Sequence, residues 1–251
     1  MRGDNTTIKE IVEFFIKEGK EKPRLEILVE LLTKHNLKVT TQQNHQATNV
    51  VVELGDRSLN KTIVIGGHYD VFPKSLGIND NTVAVAALIE LAQKLKDTKY
   101  KIDIVFFDRE ESGFHGSSLY ISTVGLQNIE YAIILDIIGY GDSPIITGAS
   151  LTNTNRISTF KTLIAKNAFK VTENRLPSDN SIFMLNRIPA VLIVAIHDED
   201  TLELDNGLVS ISPAPEFYSS FHNGKNDNKI EIINWEIPEL IINNLVRTFN
   251  V

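Results

Sequence analysis

Several short apolar runs in this chain lead into an acidic residue or a histidine, and that pattern constrains the fold more than any other feature. Thr62-Ile63-Val64-Ile65 precedes His68 and Asp70, Ile102 to Phe107 precedes Glu110 and Glu111, and Ala132-Ile133-Ile134-Leu135 precedes Asp136. Asp80 sits in Gly77-Ile78-Asn79-Asp80-Asn81. Short β-branched runs of this kind suit strands buried on both faces, and open α/β sheets bind ligands beyond the carboxyl ends of their strands. Strand-end carboxylates together with a histidine point to a metal centre.

The intervening segments have helical periodicity. Ile8, Ile11, Val12, Phe14 and Phe15 predict a helix over 6–18 capped by Asn5 or Thr6, and Leu25, Ile27, Leu28, Leu31 and Leu32 predict a second after Pro23. Strands are expected at Leu37 to Thr41, Asn49 to Leu54, Ile63 to Gly66, Ile102 to Phe107, Ala132 to Leu135, Ile145 to Thr147 and Ala190 to Ile196. Helices are expected at Thr82 to Leu95, Ser117 to Val124, Ile157 to Ala168 and Pro238 to Phe249, and loops at Asp198 to Lys229. Strands alternating with helices imply a three-layer α/β/α sandwich with a mainly parallel mixed central sheet. One domain over residues 1–251 is expected, with residues 1–35 as an N-terminal helical pair. The apolar stripes of that pair suit either a core contact or a dimer, so the sequence leaves the oligomeric state open.

Composition narrows the chemistry. The chain has 25 Lys plus Arg against 32 Asp plus Glu and no block of basic residues, which argues against a nucleic-acid partner. It has no cysteine, so a zinc site here must use oxygen and imidazole ligands. No apolar run approaches a membrane span, and Met1 to Asn5 lacks the character of a signal peptide. The expectation is a cytoplasmic protein, or a secreted one from which a leader has been removed.

Each candidate has an ordinary reading beside the chemical one. His68 is the sharpest ligand candidate, and Asp70, two residues on, either holds its tautomer or stiffens it. Asp80 could cap the following helix, but Asn81 and Thr82 can also cap, which frees its carboxylate to bridge two cations about 3.5 to 4 Å apart. Of the adjacent Glu110 and Glu111, one can ligate a cation while the other takes a proton from water. Asp136 ends a buried run where coordination would give its charge a partner. By chemistry alone either His197 or His222 could complete the set.

Taken in order, these residues resemble the co-catalytic zinc aminopeptidases, a family that also holds glutaminyl cyclases and some carboxypeptidases. The resemblance rests on Gly66-Gly67-His68-Tyr69-Asp70, on Gly77 to Asn81 leading into an Ala-rich helix, on Phe106-Phe107-Asp108-Arg109-Glu110-Glu111-Ser112-Gly113 followed by Gly116-Ser117, and on Ile134-Leu135-Asp136. Ser178-Asp179 and Ile188-Pro189-Ala190 match more weakly. The likeness covers roughly residues 48 to 250.

The resemblance implies two zinc ions, or other divalent cations, with His68 and Asp136 on one, Glu111 on the other and Asp80 on both. It makes Glu110 the general base and acid, and Asp70, beside His68, is expected to be the other catalytic residue. The aromatic-His segment Phe221-His222, with Asp227 after it, makes His222 the last ligand and His197 the fallback. It also singles out the bonds flanking Asp80 as candidates for a cis peptide. The implied reaction is hydrolysis of the N-terminal bond of a peptide substrate by metal-activated water. Asp179 is a candidate partner for the substrate amine, and Phe183, Phe217, Tyr218 and Phe221 either line a side-chain pocket or pack in the core. Arg109 and Asn180 depart from the family pattern, which commonly has a small residue and a histidine there. The alternatives are a single-zinc glutaminyl-peptide cyclotransferase and a non-catalytic module of the same fold.

Overall fold

The computed structural model describes residues 7–147, 169–204, 208–211 and 227–250. Two helices, α1 (Ile8–Glu18) and α2 (Arg24–Lys34), precede strands β1 (Val39–Gln43), β2 (Thr48–Gly55) and β3 (Thr62–His68). There follow α3 (Val83–Lys94), β4 (Lys101–Phe107), α4 (His115–Val124), β5 (Ile129–Leu135), β6 (Ser143–Thr147) and the two-residue β7 (Lys170–Val171). The chain continues with α5 (Asn180–Leu185), β8 (Ala190–Ile196), β9 (Thr201–Glu203), β10 (Val209–Ile211) and α6 (Glu236–Phe249).

Eight strands form one sheet in the order β1-β2-β4-β3-β5-β8-β6-β7. The centre, β4-β3-β5-β8, is parallel. The pairings β1 with β2, β2 with β4 and β6 with β8 are antiparallel. Because alternate side chains leave opposite faces of a strand, each central strand feeds two cores. Ile63, Ile65, Ile104, Ile133 and Ile193 pack with the apolar faces of α1, α2, α3 and α6. Val64, Val105, Phe107, Ile134 and Leu192 pack with Tyr120 and Ile121 of α4 and Phe183 of α5. Helices on both faces explain why β3 and β8 are buried along their whole length.

Local details shift some boundaries. The first helix is capped by Thr7, not Asn5 or Thr6: its hydroxyl accepts from the Glu10 amide while the Glu10 carboxylate accepts from the Thr7 amide, a reciprocal capping box. The first strand begins at Val39, two residues later than expected, because His35 and Leu37 still donate to carbonyls of the preceding helix. The β9–β10 hairpin lies in a stretch expected to be loop, and its burial is slight on the β9 strand, which leaves little hydrophobic pattern to read. The helix expected over Ile157 to Ala168 lies outside the described residues.

Topology and register place the strand ends. The connection from β3 runs through α3 on one face and that from β4 through α4 on the other, so the crossovers diverge between adjacent strands, the position where open sheets form ligand crevices. His68 pairs in register with Phe107, and Gly66 with Ile134, which brings Asp136 level with His68.

Gly67 keeps this junction tight, since a Cβ there would lie 2.6 Å from the Leu135 carbonyl oxygen and 3.2 Å from Asn81 Nδ2. Gly67→Ala should therefore destabilise the protein by about 1–3 kcal/mol, measured by urea denaturation. An unchanged midpoint would show that the junction has slack.

Candidate metal centre

His68 Nε2 lies 3.0 Å from Asp80 Oδ1 and 3.5 Å from Asp136 Oδ1. Donor atoms of these three buried residues all fall within 4.8 Å of one another. The other ring nitrogen, Nδ1, lies 3.1 Å from the Asp70 carbonyl oxygen. With Nδ1–H donated to that carbonyl, Nε2 turns a lone pair toward two carboxylates. Such a set needs positive charge between its members.

Neighbours hold each ligand candidate in place. Asp136 directly follows β5, and its Oδ2 accepts from Ser178 Oγ at 2.7 Å. Asp80 lies in the loop 78–82, where the Asp80–Asn81 peptide is cis. Asn81 Nδ2 donates to the Leu135 carbonyl at 3.0 Å, and Asn81 Oδ1 accepts from the Ile137 amide at 3.3 Å, which stitches the loop to both sides of Asp136. Asp227 Oδ1 accepts from the backbone amides of Asn79 at 2.6 Å and Asp80 at 3.1 Å.

The paired glutamates follow β4 across a turn in which Arg109 has φ +58°. Asp70 fixes that turn, its two oxygens accepting from the amides of Glu110 at 3.0 Å and Glu111 at 3.3 Å. Asp70 thus connects the His68 ring to the glutamate pair.

Fit to a divalent cation can be judged from buried atoms. His68 Nε2, Asp136 Oδ1 and Glu111 Oε1 are buried without a hydrogen-bond partner, as are both oxygens of Asp179. Orphaned acceptors of this kind are costly unless a cation or proton satisfies them. A neutral imidazole and carboxylates are also a donor set that zinc accepts. The residues therefore fit a divalent metal.

Electrostatics carry the same message. Burial raises the Glu110 carboxyl well above its ordinary value, and Asp136, Asp179 and Asp80 add to the rise, which outweighs the pull of His68. Burial, then the Asp80 charge, pushes Glu111 up to about 8. Burial also pushes Asp179 and Asp227 up to about 7. Burial alone would lower His68, yet Asp136 and Glu110 hold its imidazole well above the ordinary value. For Asp70, burial is outweighed by His68 and by the Glu110 and Glu111 amides, which leave it below the ordinary range.

The remaining candidates sort as follows. His197 is absent from the His68 cluster and pairs with Asp142, Nδ1 to Oδ2 at 2.9 Å, against the Tyr140 ring. His222, Phe217, Tyr218 and Phe221 lie outside the described residues. Phe183 is fully buried between Phe107 and Tyr120, a core residue and not a pocket wall. Asn180 is buried at the start of α5. The support from Ser178, Asn79, Asn81 and Asp227 had no local signal beyond the Ser178-Asp179 and Gly77 to Asn81 motifs and the place of Asp227 after Phe221-His222.

A parallel-centred α/β sheet with a histidine and carboxylates converging at its carboxyl edge defines a metal-dependent α/β protein of exopeptidase-like fold. Residues 49–247 match Peptidase family M28, and the chain belongs to that family. It is 26% identical over 217 residues to a probable leucine aminopeptidase 2 of Aspergillus fumigatus, covering 77% of this chain and 43% of that one. It spans only 12–18% of the length of three other curated relatives it matches. Its fold is shared with a leucine aminopeptidase precursor of Bacteroides thetaiotaomicron (TM-score 0.71, 19% identity, 97% of each chain). The fold is likewise that of a glutaminyl cyclase of Porphyromonas gingivalis (TM-score 0.69, 20% identity, 99% of each chain).

Protons and metal compete for this cluster, so zinc binding near neutral pH should release protons, read by calorimetry in buffers of different ionisation enthalpy. The metal-free protein should also lose stability as pH rises. Glu111 goes from 4.5 to about 8 on folding, so between those values the folded state binds more protons and the slope of stability against pH is negative. Raised His68 acts in the same sense, and depressed Asp70 acts oppositely below that window. A melting temperature of the metal-free protein that is flat or rising from about pH 5 to 8 would contradict this charge arrangement.

Proposed function

We propose that the protein is a metal-dependent exopeptidase that hydrolyses the N-terminal bond of peptides. The observation that carries the reading is Glu110, a partly buried residue whose backbone amide Asp70 holds beside the His68 cluster while its carboxylate is not part of that cluster. That is the placement a general base requires.

In this reading His68, Asp80 and Asp136 would hold one divalent cation, and Glu111, with Asp80 and His222, would hold a second. Glu111 Oε1 is buried and without a hydrogen-bond partner, which supports a ligand role. His222 stands five residues before Asp227, whose carboxylate binds the Asp80 amide. When bound, such cations polarise a carbonyl and lower the pKa of water. Glu110 takes the proton from the attacking water and later delivers it to the leaving nitrogen. Asp70 keeps the His68 tautomer and the Glu110 backbone in a fixed relation. Asp179, buried with both oxygens unpartnered, is the candidate for the substrate's free amine.

A second reading is cyclisation of an N-terminal glutaminyl residue on one zinc. End-to-end likeness to a glutaminyl cyclase and a single ligand cluster among the described residues favour it. Here the substrate amine attacks the side-chain amide carbon and ammonia leaves, with Glu110 moving the proton.

Glu110→Gln should lower turnover of an aminoacyl anilide by about 10²–10⁴-fold while zinc binding persists. Near-native rates in that variant would remove Glu110 from the mechanism. Two zinc equivalents with anilide cleavage support hydrolysis, whereas one equivalent with ammonia release from a glutaminyl peptide supports the cyclase.

A further inference from the structure

Arg24 opens α2, ahead of the residues that match the family. Its Nε donates to the Tyr69 carbonyl at 2.5 Å, and a terminal nitrogen donates to Thr82 Oγ1 at 2.8 Å. Tyr69 stands between His68 and Asp70, and Thr82 is two residues beyond Asp80. The Thr82 hydroxyl in turn donates to the Gly77 carbonyl, which also accepts from the Thr82 amide at 2.9 Å, so this side chain closes the loop that carries Asp80. The guanidinium also stacks over the Phe15 ring of α1, 5.1 Å from its centroid. A planar fork on a buried aromatic is well suited to fixing two acceptors at once.

Its position is electrostatically notable. Arg24 donates to two neutral acceptors, while Asp70, Asp227 and Asp80 act on it through space. A fixed positive charge beside a cation site opposes cation binding, so charge alone would make a neutral residue at this position better. The geometry accounts for an arginine there.

We propose that Arg24 is a positioning residue for the metal centre: its two-point bond to Tyr69 and Thr82 sets the spacing of His68 and Asp80 and so the affinity of the cluster for a divalent cation. This rests on the metal-centre reading above.

The test is zinc titration calorimetry on metal-free wild type, Arg24→Lys and Arg24→Met, well below their melting temperatures, with absorption spectra of the cobalt-loaded forms. Lysine keeps the charge and loses the fork, and methionine loses both. Each variant should bind zinc about 10-fold or more weakly and shift the cobalt d–d bands. Wild-type affinity and spectra in both variants, whatever happens to their melting temperatures, would overturn the proposal. So would tighter binding by Arg24→Met with wild-type binding by Arg24→Lys, the outcome of a pure charge effect. Should Arg24→Met not fold, Arg24→Lys decides by the same criteria. Wild type that binds no zinc would instead remove the metal-centre reading itself, and this inference with it.

Discussion

The structure depends on one unfavourable juxtaposition made tolerable: an imidazole nitrogen and two carboxylates are buried face to face. Nε2 of His68 lies 3.0 and 3.5 Å from Asp80 and Asp136, with Glu110, Glu111, Asp179 and Asp227 adding negative potential around them. Protons can neutralise such a cluster, as the elevated values of Glu110, Glu111, Asp179 and Asp227 record, and a divalent cation can do so more strongly. The sheet supplies the stiffness that holds like charges together.

That stiffness comes from several unrelated segments converging. Strand register aligns His68 with Asp136, while the Asp80 loop has no sheet pairing of its own and is fixed by side chains. Asn81 secures it to the backbone on either side of Asp136, Asp227 holds its amides, and Arg24 braces its end through Thr82. Asp70 does the corresponding work between His68 and the glutamates.

Much of the fold was legible because its signals are local. Runs such as Ala132 to Leu135 and Ala190 to Ile196 announce buried strands by composition, and the order of His68, Asp80, Glu110, Glu111 and Asp136 along the chain carries the family resemblance. What escaped is defined by distance in sequence. The Asp227 clamp joins residues 147 and 148 positions apart, and Arg24 meets partners 45 and 58 positions away, so no window of sequence contains either contact. Thr7 took the capping role because the box needs a carboxylate three residues on, and only Glu10 is at that spacing from it. The short β9 strand failed to register for another reason, since it buries too little to need an apolar pattern.

The central strands are shared walls. Ile63 and Ile65 face one packed layer and Val64 the opposite one, yet the same strand carries His68 at its tip. A void cut into either layer lets that strand tilt or slide, and the tip moves whichever layer was altered. Packing defects in either layer therefore reach the same ligand atoms through one strand.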